Sequence, residues 1–228
     1  NIEMPNSVSY IGEYAFESDY DILSFTFPEK VTVIEEGVFA YSNIHTVTFL
    51  GNVTTIRSSA FYFNFLESIS IPENVSTIGS SSFSFCKLET FEFPEKVTII
   101  ERDVISYNSR LLSVTFLGNV TAINNNAFRG CYKLQQITIP ESVTYIGSGV
   151  FSFCYCLESI RIPKNVNNLD LCFVNNPDLI AVYYFGSESP TCQGSLFSET
   201  SVKFVYVLPE YSDDNFCGFP IMPFPGTD

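Results

Sequence analysis

Eight valines recur along this chain every 22 or 23 residues: Val8, Val31, Val53, Val75, Val97, Val120, Val143 and Val166. Three positions after each comes Ile11, Ile34, Ile56, Ile78, Ile100, Ile123, Ile146 or Leu169. Eight positions after each comes Phe16, Phe39, Phe61, Phe83, Ile105, Phe128, Phe151 or Val174. A fixed period of this length, with apolar residues in fixed columns, marks a solenoid. One such unit cannot bury its own apolar face, so it stacks on its neighbours and contacts only those. Repeats build a surface rather than a catalytic site, so the pattern specifies fold far more closely than function.

Length variation is confined to the step from the Phe column to the next Leu column. It is five residues from Phe61 to Leu66 and six from Phe128 to Leu134. Insertions are tolerated in surface loops and not along ladder hydrogen bonds, so this step reads as a loop or short helical turn. The segment that follows has the form Leu-x-x-Ile-x-Ile, as in Leu134 to Ile139. Side chains alternate across a strand, so its fourth and sixth positions face the core. One strand per coil then stacks into a parallel sheet. Its outward columns run Ser24, Thr46, Ser68, Thr90, Ser113, Gln136, Ser159, Ala181 and Thr26, Thr48, Ser70, Glu92, Thr115, Thr138, Arg161, Tyr183.

After each strand stands either a proline (Pro28, Pro72, Pro94, Pro140, Pro163) or a Leu-Gly pair (Leu50-Gly51, Leu117-Gly118). Proline cannot donate to a ladder and ends the strand; the glycine is expected to supply an unfavourable turn dihedral. The Val-x-x-Ile stretch reads as a second, shorter extended segment. Three residues past the Phe column come Asp19, Ser42, Asn64, Cys86, Asn108, Cys131 and Cys154. Small polar residues and cysteine sharing one internal column are expected to satisfy turn backbone groups from inside the coil.

These columns resemble the BspA-like leucine-rich repeat family, whose repeat reads approximately I-P-x-S-V-T-x-I-G-x-x-A-F-x-x-C-x-x-L-x-x-I. The copy from Ile139-Pro140-Glu141-Ser142-Val143 through Ile146-Gly147, Phe151, Cys154, Leu157, Ile160 and Ile162 follows it closely. The resemblance covers residues 1–186, with departures at Glu101, Ile105 and Asn124 and a degenerate last copy from Leu169 to Pro177. It implies a leucine-rich repeat solenoid: a curved right-handed coil of 22–23-residue repeats, β-rich, with the parallel sheet on its concave face and turns or helical turns on the convex side. It also implies a cell-surface or secreted protein and an adhesive role toward host matrix proteins. No residue-level ligand motif comes with it.

Asn1 to Pro5 aligns with Ser24 to Pro28, so the chain begins inside a strand; it carries eight copies plus a truncated first strand and reads as a piece of a longer array. The period is lost from Gly186. Val202 to Pro209 reads as a last strand, followed by an acidic, Phe- and Pro-rich tail over 210–228, so residues 187–228 are expected to cap the repeats of 1–186. Cys192 and Cys217 flank that strand and either form a disulfide or remain two thiols.

With 11 basic and 25 acidic residues the net charge is −14, which argues against nucleic acid, whose phosphates demand Lys and Arg, and against anionic membranes. A basic protein surface or divalent cations are compatible. No segment for membrane insertion is recognisable in this stretch. The uninterrupted register argues for one domain, and 23 phenylalanines suit a stacked core column. Asn52, Asn74 and Asn119 head N-glycosylation sequons, all in one turn column where Asn also suits the turn itself.

Enzymatic chemistry needs a convergent nucleophile, base and stabiliser, and none is legible. The only histidine, His45, occupies a variable rim position. No cofactor or metal pattern is present; Cys154-x-Cys156 alone is not a zinc pattern. The expected function is non-enzymatic binding of a protein ligand, such as a host matrix protein, through the exposed sheet face. The candidate residues stand where the Ser/Thr monotony breaks: Glu92, Gln136, Arg161 and Tyr183, with His45, Glu67, Glu89 and Glu158 on the adjacent rim. Two other readings stay open, a stalk without its own ligand and an intracellular scaffold with reduced cysteines.

Overall fold

The computed structural model describes residues 2–225; Asn1 of the opening strand and residues 226–228 of the expected tail lie outside the described residues. The chain winds as a parallel β-solenoid, two extended segments and one turn region per coil, with no helix among the described residues. The short segments pair as Val33–Ile34, Thr55–Ile56 and Thr77–Ile78, then as Ile99–Ile100, Ala122–Ile123 and Tyr145–Ile146, and last as Asn168–Asp170 with Thr191–Gln193. Ile2 forms a parallel bridge with Phe25, the residue the repeat alignment sets opposite it.

The long segments depart from one continuous sheet. Ser24–Phe27 pairs with Thr46–Phe49, and Thr90–Phe93 with Ser113–Phe116. Ser159–Ile162, Ala181–Tyr184, Val205–Val207 and Ile221–Pro223 form a four-stranded sheet. The third coil's segment, Ser68–Ile71, joins no sheet, and the sixth coil's keeps one bridge, Thr138 to Arg161. Both breaks follow a Leu-Gly turn. Neither Gly51 nor Gly118 has a positive φ, so the expected dihedral role is corrected. A Cβ at Gly51 would lie 2.3 Å from the Glu29 carbonyl oxygen, and one at Gly118 would lie 2.0 Å from that of Glu95. These glycines let one coil's turn press onto the previous coil, which draws coils into pairs and leaves the next strand outside the pair.

The turn region shows no such break. The N–H groups of Phe16, Phe39, Phe61, Phe83, Ile105, Phe128 and Phe151 donate to carbonyls of Val38, Ala60, Ser82, Val104, Ala127, Val150 and Cys172 at 2.8–3.3 Å. The Phe rings stack in register, with centroids 5.3 Å apart for Phe61–Phe83 and 5.6 Å for Phe128–Phe151. Phe173, not Val174, continues the column, 5.9 Å from Phe151 and 5.6 Å from Phe197. The eighth coil is one residue shorter between its Leu and Phe columns, a deletion that fixed counting from Val166 misses.

Two residues past this column, Tyr41, Phe63, Phe85, Tyr107 and Phe153 hold φ between 56° and 63°. An L-residue in that region costs roughly 1–2 kcal/mol. Each N–H is committed to the next coil, as in Phe63 to Ser84 (2.9 Å) and Tyr107 to Arg129 (2.7 Å), so the ladder holds the conformation. The inner polar column acts as expected. Asn64, Asn108 and Asn176 each donate to the preceding coil's Phe39, Phe83 or Phe151 carbonyl. Each accepts in turn from the N–H of Ile44, Leu88 or Cys154. Cys86, Cys131 and Cys154 reach the same kind of carbonyl with a weak thiol donor, at 3.2, 3.6 and 3.3 Å.

Candidate functional site

The C-terminal sheet sets Arg161, Tyr183, Tyr206 and Met222 opposite one another on its outward face. The Arg161 guanidinium carbon lies 5.7 Å from the Tyr183 ring centroid, within reach of the ring's negative face. Tyr183 stacks on Tyr206 at 4.9 Å and on Phe224 at 5.6 Å. Arg161, Tyr183, Phe185, Leu208, Phe224 and Pro225 line an open cavity of about 410 Å³. Arg161 is exposed and makes no ion pair among the described residues. An aromatic floor with a free guanidinium at its edge can bury an apolar or aromatic anchor and pair a carboxylate at once.

Of the expected binding residues, Arg161 and Tyr183 bring their side chains together, while Glu89 and Glu67 meet only through the backbone, the Glu89 N–H donating to the Glu67 carbonyl at 3.1 Å. Glu67 and Arg110 form an exposed ion pair at 3.0 Å, spanning two coils. His45 stacks on Phe65 at 5.5 Å and bonds the Asn43 carbonyl through Nδ1, while Lys87 approaches the Phe65 ring at 5.9 Å. Glu89 and Glu158 are exposed side chains whose carbonyls accept from Leu112 and Ile180. Gln136 is exposed on the sixth coil, and Glu92 lines a cleft beside the third. Asn52 and Asn119 are exposed, whereas Asn74 is half-buried, donating to Asn52 at 2.6 Å and accepting from Lys96. Sequence reasoning missed Tyr206 and Met222. Strand alternation across Val205-Tyr206-Val207 carries the signal for Tyr206, but not its partners.

Cys192 and Cys217 form a disulfide that ties Thr191–Gln193 to the closing segment, while the other five cysteines are free thiols. Burial pushes the thiols of Cys86, Cys154 and Cys172 up to about 12 and that of Cys131 well above its ordinary value, so all four are protonated and unreactive at neutral pH. Among the described residues, no group of three or more His, Cys, Asp and Glu side chains is placed to hold a metal. No helix among the described residues is long and apolar enough to cross a membrane.

A family profile described as BspA type Leucine rich repeat region matches in 6 copies, over residues 1–112 and 105–213. No curated protein matches the chain. Among solved structures, a leucine-rich repeat protein from Bacteroides ovatus superposes with a TM-score of 0.66 at 23% identity, covering 90% of this chain and 62% of its own. A leucine rich cell surface protein from Faecalibacterium prausnitzii gives 0.52 at 25% identity, covering 81% and 59%. The pneumococcal vaccine antigen PcpA gives 0.55 at 19%, covering 85% and 59%. The chain thus spans about three fifths of the length of these proteins.

Proposed function

Since the chain belongs to the BspA-type leucine-rich repeat family, we propose that it is a protein-binding, adhesion-type module of a cell-surface or secreted protein, anchored on its ligand through the Arg161–Tyr183 cluster. In this reading residues 1–186 carry the repeats, and 187–228 close them and add Tyr206 and Met222 to the binding row. One observation carries the proposal: on a face lined mostly by Ser and Thr, the C-terminal sheet gathers a guanidinium, two tyrosines and a methionine in one outward row. Arg and Tyr dominate the binding energy of protein interfaces. The cell-surface description of the Faecalibacterium structure supports the location.

The test is binding to an array of extracellular matrix and cell-surface proteins at physiological and raised salt. A saturable ligand is expected, and substituting Arg161 and Tyr183 together by Ala should weaken it at least about tenfold. The melting temperature should move by only about 2 °C, as for surface substitutions. Unaltered affinity sinks the proposed anchor. Silence across the array from folded protein favours a stalk.

A further inference from the structure

The break in the sheet at the third coil is open on both sides. Among the described residues, none of the N–H or C=O groups of Ser68, Ile69, Ser70 and Ile71 makes a hydrogen bond. Yet the sequence there has the same strand pattern as its neighbours, and the turn ladder passes through unbroken, Phe39 to Ala60 and Phe61 to Ser82. The coils are held together at their turns and splayed at their long segments. Between Ser68–Ile71 and the fourth coil lies a cleft of about 680 Å³, lined among others by Ile69, Ser70, Ile71, Glu92 and Leu117. A smaller one of about 330 Å³, lined by Val47, Phe49, Ser70 and Pro72, lies toward the second coil.

Side chains on this segment register the opening. Ile69 and Ile71 are half-buried, as are Val47 and Phe49, whereas their counterparts Phe91 and Phe93 are 3% and 0% exposed. The sixth coil's break is closed by comparison: Ile137 and Ile139 are buried, and Thr138 still pairs with Arg161. The open cleft therefore combines unpaired strand backbone with a partly apolar lining. Glu73, Glu92 and Glu95 line its wall, and its one lysine, Lys96, is engaged by Asn74. Unpaired strand backbone is a template for another extended chain. An acidic wall on a protein of net charge −14 selects a cationic one.

From these observations we infer that Ser68–Ile71 is a docking slot for an extended peptide alternating basic and apolar residues, held by main-chain hydrogen bonds. The apolar residues lie against Ile69 and Ile71, and the basic ones reach Glu92 and Glu95. The slot is separate from the Arg161–Tyr183 cluster and does not depend on it.

The probe is a capped seven-residue peptide alternating Lys and Val, compared with its Glu–Val counterpart and with a copy N-methylated at alternate amides. Saturable binding of the Lys–Val peptide is expected, weakened at least about tenfold by either change. The amides of residues 68–71 should exchange at least about tenfold more slowly in the complex. Strand alternation turns the N–H of Ile71 toward the fourth coil, where it has no partner among the described residues, so Ile71→Pro should weaken binding by a similar factor. Glu92→Lys should also weaken it, and provides the reading should Ile71→Pro misfold. Equal binding of the N-methylated peptide, unchanged exchange at 68–71, or no saturable binding overturns the slot. So does self-association of the free protein that Ile71→Pro abolishes, because a second copy then fills it. Loss of peptide binding in the Arg161, Tyr183 double variant relocates the peptide to the aromatic cluster, overturning the slot and leaving the proposed function standing.

Discussion

The first six coils and the closing portion of the chain share one turn ladder, but they finish their long-strand sheets differently. In the early coils the sheet comes in pairs, with Ser68–Ile71 and most of Gln136–Ile139 outside them. From Ser159 to Pro223 four strands pair without interruption, and the Cys192–Cys217 disulfide fastens the end. Every early coil therefore rests on the Phe stack and the inner polar column. The closing sheet adds a covalent tie and a complete hydrogen-bonded face. A regular sequence repeat thus does not impose equal pairing; the turn chemistry between repeats decides where the sheet opens.

That contrast can be broken most forcefully at the Phe column. Phe61→Ala removes a fully buried ring stacked between Phe39 and Phe83, and urea denaturation should show a loss of about 3–5 kcal/mol. Native-state exchange should place the loosening in the early coils. Replacing Cys192 and Cys217 by Ser should cost about 3 kcal/mol for a cross-link of this span, with protection lost in the closing sheet while the early coils keep theirs. Equal loss of protection along the whole chain would falsify the division into two regions.

A finer comparison lies within the inner column. Asn108→Ala strands the Phe83 carbonyl and the Leu88 N–H and should cost about 2–3 kcal/mol. Cys131→Ala gives up one long thiol contact and a little volume, so its cost should be about 1 kcal/mol. Equal costs for the two would show that the column acts by packing rather than by hydrogen bonding.

The smallest effect is absent at neutral pH. Buried thiols that ionise near 12 in the fold and near 9 when unfolded keep more protons in the native state across that interval. Their stabilisation is whole below about pH 9 and is lost as pH rises toward 12, roughly 1 kcal/mol per thiol by pH 10. Tyr184, pushed to about 12 by burial and by Tyr211, Asp213 and Glu188, adds to the same decline above pH 10. Alkaline melting curves of a Cys86→Ala, Cys154→Ala variant should be flatter than those of the parent.

The repeat columns themselves settle much of this protein. The 22–23-residue period fixes a solenoid, because apolar residues at constant spacing can be buried only by stacking like on like. It also gives the two extended segments, the buried Val, Ile and Phe columns, the inner column's hydrogen-bonding role, and the outward placement of Arg161 and Tyr183. Each of these depends on short-range alternation or spacing, which a chain carries in its own order of residues. The sheet breaks, the Phe173 register, the left-handed aromatic turns and the union of Tyr183 with Tyr206, Met222 and Phe224 depend on how one coil lies against the next. Gly51 looks like a turn residue in the sequence and becomes a contact with Glu29 only in three dimensions. Cys192 and Cys217 leave two outcomes open until folding brings their Cα atoms to 5.7 Å. What the sequence leaves undecided is the distance between neighbouring coils, since it is the balance of many weak contacts made by residues 22 or more positions apart.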